Sequence, residues 1–160
     1  MRYVIRQKWL AVRPRFTIRD MEGRERYHVQ GRFFSIGARL DISDVSGQPV
    51  AHIVQRLLRL RPTFEIHQNG SLSAQVRKHL FCFLGTKFDI ETVSGGFLRI
   101  EGDLLAHEYA LLRDGQRVAG ISKKWLSIAD TYVIDVAQGE DDVLLLAAAI
   151  VIDMVCHRNN

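Results

Sequence analysis

The sequence predicts a mainly β fold: a closed antiparallel barrel of about twelve strands around a central hydrophobic C-terminal helix, as one domain over 1–160. Three observations predict it. Apolar and polar residues alternate with period two through most of the chain, the mark of strands with one dry and one wet face. Glycine-containing turns separate the alternating runs. The single helical segment, at about 141–156, is apolar on every side and therefore needs a surround.

The strands follow in chain order. One is expected near Lys8–Val12. Phe16 and Ile18 alternate with Arg15, Thr17 and Arg19; Tyr27 and Val29 with Arg26, His28 and Gln30. Ala38, Leu40 and Ile42 alternate with Arg39, Asp41 and Ser43, and Leu72, Ala74 and Val76 with Ser73, Gln75 and Arg77. Phe64 and Ile66 flank Glu65, Phe88 and Ile90 flank Asp89, Leu98 and Ile100 flank Arg99, and Tyr132, Ile134 and Val136 complete the series. Hairpin turns are expected at Met21–Arg24, Val45–Gln48, Gln68–Ser71, Val93–Gly96 and Arg113–Gln116. Asn69-Gly70 and Asp114-Gly115 are the strongest of these, because a type I′ turn needs positive φ at both central positions.

The segments between hairpins are alike. Residues 8–18, 56–66, 80–90 and 124–134 share a pattern: bulky apolar residues, a short break, then aromatic-x-Ile, with a leading base in three of the four. Their spacing is irregular, which excludes a solenoid and fits a closed sheet whose successive hairpins are joined in the same way.

From Val143 to Ile152 the helical segment is unbroken apolar sequence. A membrane span needs about 20 such residues, so a buried core helix is preferred to a membrane-inserting tail and no transmembrane segment is expected. Glu140, Asp141 and Asp142 sit where acids favour a helix N-terminus. An eight-stranded barrel is filled by its own side chains, whereas eleven strands already enclose a helix. Twelve therefore suffice for a rod about 10–12 Å across.

Composition is that of a globular chain, 47% hydrophobic and 25% charged. The net charge of +4 hides an asymmetry: residues 1–80 carry 15 Lys and Arg against 6 Asp and Glu, residues 81–160 carry 7 against 12. The halves interleave in a closed fold, so the asymmetry is read either as a basic patch for anionic lipid, nucleic acid or an acidic protein, or as a solvated face with no partner. Cys82 and Cys156 lie far apart in apolar sequence and read as reduced core thiols of an intracellular, cytoplasmic protein. The first residues interleave charges with apolar groups, unlike a secretory signal.

No catalytic motif, metal site or cofactor fingerprint is present. His107-Glu108 begins like a zincin helix, but Leu111 stands where the second histidine belongs, in a strand pattern. His28, His52 and His67 occupy alternating strand positions as surface or satisfied histidines. Asp41 and Asp44 near Gly47 are explained by a hairpin turn. Asp153, in the last turns of the apolar helix, either reaches the barrel mouth and water or forms a structural ion pair.

The candidate binding residues are basic: Arg13, Arg15, Arg56, Arg59, Arg61, Lys123 and Lys124. They recur between hairpins, beside Trp9, Leu57, Leu60 and Trp125. If these segments share one rim, bases and bulky apolar groups lie together, which suits an anionic membrane surface. The competing expectation is that the tryptophans face inward and the bases only keep strand edges soluble. Nucleic acid ranks last, because the aromatics alternate mostly onto the dry face.

Gly31-Arg32-Phe33-Phe34-Ser35-Ile36-Gly37, Gly102-Asp103-Leu104-Leu105, Ile121-Ser122-Lys123-Lys124-Trp125 and the Gly139-Glu140-Asp141-Asp142 lead into the helix together resemble the LURP-one-related family. That family falls in the Tubby C-terminal-like group with the phospholipid scramblases. The resemblance spans essentially the whole chain and implies a twelve-stranded barrel around a central helix. It also implies a membrane connection, since Tubby domains bind phosphoinositides and scramblases act at membranes. Of the scramblases' acylated cysteine cluster only Cys82, between Phe81 and Phe83, stands near an equivalent place, and no spaced calcium-binding acid series precedes Glu140, Asp141 and Asp142. The expected function is a non-enzymatic module for anionic phospholipid or phosphoinositide headgroups, peripheral at the membrane. The alternative is a protein-interaction scaffold without lipid affinity.

Overall fold

The computed structural model describes residues 1–6, 14–34, 37–79, 87–94, 96–123 and 131–157. Among them lie twelve strands: β1 Arg2–Arg6, β2 Arg15–Asp20, β3 Glu25–Phe34, β4 Gly37–Asp44, β5 Pro49–Arg56, β6 Thr63–Gln68, β7 Ser71–Lys78, β8 Phe88–Thr92, β9 Phe97–Asp103, β10 Glu108–Arg113, β11 Gln116–Ser122 and β12 Thr131–Val136. Helix α1 spans Asp142–His157. Each strand pairs antiparallel with its neighbours in sequence, and β1 pairs with β12, so the sheet closes into a barrel.

Alternation decides which side chains enter. On β4, Ala38, Leu40 and Ile42 are buried while Arg39 and Asp41 are exposed. The turns take the conformations their residues favour: φ is 50° and 75° at Asn69 and Gly70, and 51° and 80° at Asp114 and Gly115. Asp44 caps its hairpin, its Oδ1 accepting from the Ser46 and Gln48 amides and the Ser46 hydroxyl. One strand was not expected. On β1, Tyr3 and Ile5 point inward between Arg2, Val4 and Arg6, and this short strand supplies the closure. The expected strand near Lys8–Val12 lies outside the described residues.

The helix fills the barrel. Leu144 through Ile152 are each at most 5% exposed, and they share one core with the inward residues of all twelve strands. Its N-terminus is fixed: the Asp141 carboxylate accepts from the Leu144 amide at 2.9 Å and from Gln68 Nε2, and the Tyr3 hydroxyl donates to Asp142.

Antiparallel order sorts the connections onto two rims. The near rim carries the turns after β2, β4, β6, β8 and β10 and the link from β12 into the helix. The far rim carries the connections after β1, β3, β5, β7, β9 and β11, and the helix runs towards it. One seam is thin. Strands β8 and β9 pair only at Ile90 with Leu98 and Glu91 with Phe97, and a groove of about 910 Å³ lies along it, lined by Phe88, Ile90, Leu98, Ile100 and Leu104 among others.

Candidate functional site

The described candidate bases share the far rim. Arg15 opens β2, Arg56 ends β5, Arg59 and Arg61 lie between β5 and β6, and Lys123 follows β11. Arg13 and Lys124 lie outside the described residues, as do Trp9, Trp125 and Cys82.

These bases divide by their partners. Arg56 is tied to Glu65 at 2.8 Å, and Glu65 is 7% exposed. The Arg56 guanidinium, with His67 beside it, holds that carboxyl below the usual range against the opposing effect of burial. Arg61 lies 3.6 Å from Asp89. By contrast, the side chains of Arg15, Arg59 and Lys123 make no ion pair or hydrogen bond among the described residues, nor do those of Arg6, Lys78 and Lys87 on the same rim. The neighbouring acids are engaged. Glu108 accepts from the Ser122 hydroxyl and the Lys123 amide. Asp103 accepts from the Leu105 and Ala106 amides, and Asp89 also meets His79 at 2.8 Å. Among the described residues the rim therefore carries positive charge without a paired acid.

It also presents leucines. Leu58 is fully exposed and Leu60 is 94% exposed, flanking Arg59. Leu57 is half-exposed and reaches back over Gly37 at the start of β4. Leu58 is in the left-handed region, at φ 59°, which turns its side chain out of the strand path. Leu105, between β9 and β10, is a further exposed leucine on this rim. The sequence pattern marks Leu57 and Leu60 but does not say that Leu58 and Leu60 point into water.

Beneath the rim the helix ends in a buried polar cluster. His107, in the β9–β10 turn at φ 54°, places Nε2 2.5 Å from Asp153 Oδ1, and both residues are 1% exposed. The Tyr132 hydroxyl donates to Asp153 Oδ2 at 3.3 Å, and the Tyr132 ring stacks on His107 with centroids 4.9 Å apart. Burial raises the hydroxyls of Tyr109 and Tyr132, with the Asp153 charge adding to it. Asp153 is therefore buried and bonded to His107 and Tyr132 rather than wet. His107 lies in a turn rather than in a strand. Its role is missed by local motif reading because its partner is 46 residues away. With both groups closed to solvent, the cluster locks the helix to the far rim.

Three further histidines are paired on the outer face: His28 with Glu25, His52 with Asp41 at 2.6 Å and His67 with Glu65. Among the described residues no three His, Cys, Asp or Glu side chains converge as a metal set, and no helix is long and apolar enough to cross a membrane.

The described residues form a closed twelve-stranded barrel filled by its own C-terminal helix, with a basic, leucine-bearing rim. The chain belongs to the LURP-one-related family, whose family model matches residues 1–153. It is 38% identical over 156 residues to the uncharacterized protein YxjI of Bacillus subtilis, covering 97% of this chain and 93% of that one. Its fold is similar to the X-ray structure of an Arabidopsis thaliana protein, with a TM-score of 0.70 at 18% identity, over 96% of this chain and 90% of the other.

Proposed function

We propose that the protein is a non-enzymatic module that docks its far rim on an anionic phospholipid surface. The observation that carries this is the placement of Arg15, Arg59 and Lys123, whose side chains have no partner among the described residues, on the same end of the barrel as the exposed leucines Leu58 and Leu60. Each base near an anionic leaflet contributes about 1 kcal/mol. Leucines standing out between bases suit a bilayer, which deforms around each side chain. A protein partner must offer a matching pocket for each.

Vesicle flotation tests it. At low salt the protein should float with phosphatidylserine-containing vesicles and remain behind with phosphatidylcholine alone. Raising salt should weaken the binding, and Arg59→Glu with Lys123→Glu should weaken it at least tenfold. No flotation at low salt, or flotation unchanged by the charge reversal, would sink the proposal. In the alternative reading the same leucines anchor a protein-interaction scaffold. A stoichiometric protein partner lost on Leu58→Ser and Leu60→Ser, with no vesicle binding, would favour it.

A further inference from the structure

The β2 to β5 wall bears a row of arginines that the two-fold alternation alone does not reveal. On β3, Val29 and Gly31 are buried, so Arg32 faces out; on β4, Ala38 and Leu40 are buried, so Arg39 faces out. The register sets Arg32 directly across from Arg39. Directly opposed residues have β-carbons about 4.5–5.5 Å apart. On one flank, Arg15 of β2 pairs with Gln30, the outward residue before Arg32, which makes Arg15 its diagonal neighbour. On the other, Arg39 pairs with Val54, the outward residue before Arg56 of β5. Four adjacent strands thus each present one outward arginine at the far-rim end.

Like charges directly opposed across a sheet are destabilising. Here nothing described offsets them. Arg15, Arg32 and Arg39 are exposed and make no ion pair or side-chain hydrogen bond among the described residues. The acids near enough to serve are occupied: Asp41, two residues along β4 and across from Gln30, is held by His52, and Glu65 by Arg56 and His67. A pair of planar guanidiniums at cross-strand spacing matches the oxygens of a phosphate, which arginine grips through two parallel N–H···O bonds.

We propose that Arg32 and Arg39, flanked by Arg15, form a phosphate site for a ligand bearing a phosphomonoester or diphosphate group. The group comes from a lipid headgroup or from a free phosphorylated compound. As a headgroup site it rests on the membrane docking proposed above, since the row runs towards the leucine-bearing β5–β6 connection on the same rim. As a site for a free compound it stands alone.

The test uses inorganic pyrophosphate by titration calorimetry and thermal melting, and vesicles containing either phosphatidylserine or a phosphoinositide by flotation. Wild type should bind pyrophosphate and melt higher with it. Arg32→Gln with Arg39→Gln should bind pyrophosphate at least tenfold more weakly, while its melting point without ligand stays level or rises through relief of repulsion. Phosphatidylserine flotation retained by this variant, with its preference for phosphoinositide lost, identifies the headgroup as the source. Lost pyrophosphate binding in the variant, with no vesicle binding by either protein, identifies a free phosphorylated compound and removes the membrane reading alone. No pyrophosphate binding by wild type at millimolar concentration, or equal binding by the variant, overturns the site whether or not vesicles bind.

Discussion

Replacing His107 by Phe should cost more stability than replacing both members of its buried pair. The phenyl ring keeps the stack on Tyr132 but removes the Nε2 that lies 2.5 Å from Asp153. A side chain with 0% exposure would then hold a carboxylate without its closest counter-group. Breaking a buried pair from one side costs about 3–5 kcal/mol, a large part of the roughly 5–15 kcal/mol that stabilises a typical domain. Asp153→Leu leaves the buried imidazole short of one hydrogen bond, about 1–3 kcal/mol. Replacing both puts apolar groups against each other, which is often near neutral. The double variant should therefore be more stable than His107→Phe alone. Urea unfolding followed by circular dichroism measures all four proteins, and equal denaturant slopes would show that the unfolding transition is comparable. A His107→Phe cost under about 1 kcal/mol, or a double variant as unstable as the two single costs added together, would refute the buried pair as the lock on the helix end.

Further outcomes follow from the same geometry. Gly102→Ala, at φ 121°, would bring a β-carbon 2.3 Å from the Glu108 carbonyl and 2.7 Å from Tyr109 Cα across the β9–β10 pair; it should cost about 3 kcal/mol or more in a thermal melt. Gly96→Ala, which meets nothing within 4 Å, should cost about 1 kcal/mol. Cys156 is buried, and its thiol is pushed up to about 11, chiefly by burial; in a Cys82→Ser background it should react with Ellman's reagent at pH 8 at least about 100-fold more slowly than after unfolding, and fast reaction in the native state would contradict its burial. The lowered Glu65 carboxyl contributes stability that is complete above its unfolded value of about 4.3 and lost as pH falls through its lower folded value. Arg56→Met should therefore cost roughly 1 kcal/mol at pH 7 and progressively less towards pH 3, and a cost that does not shrink would show that the ion pair is not its source. A chain ending at Gly139 lacks the whole apolar helix around which the strands pack and should show no cooperative melt, and one near the full-length temperature would contradict the helix-centred core.

The barrel was legible because its signals are local. Alternation sets the inward residues of β4 and β7, and Asn69-Gly70 and Asp114-Gly115 need no information beyond two residues to specify their turns. The helix was legible from what it lacks, a polar face. What escaped depended on separation in the chain. β1 is only five residues long with two inward side chains, Tyr3 and Ile5, too brief for a period to register. Asp153 could be read as wet or paired until the β9–β10 turn supplied His107. The opposition of Arg32 and Arg39 needs the register of β3 on β4, which composition does not contain. Leu58 escaped because an αL residue in a connection points where no periodic pattern directs it.

The thin β8–β9 seam has a consequence for how the barrel comes apart. The ends of the chain are not its weakest join: β1 is laced to β12 along its whole length, from Arg2 with Asp135 to Arg6 with Thr131. Beyond Leu98, the β8-facing edge of β9 has no strand partner among the described residues. Amide exchange should therefore be quickest along the β8-facing side of Arg99–Asp103, and slow on β4 and β5. Local opening would begin as a slit in the wall, with the sheet uncurling around a helix still held by β5, β6, β7 and β12.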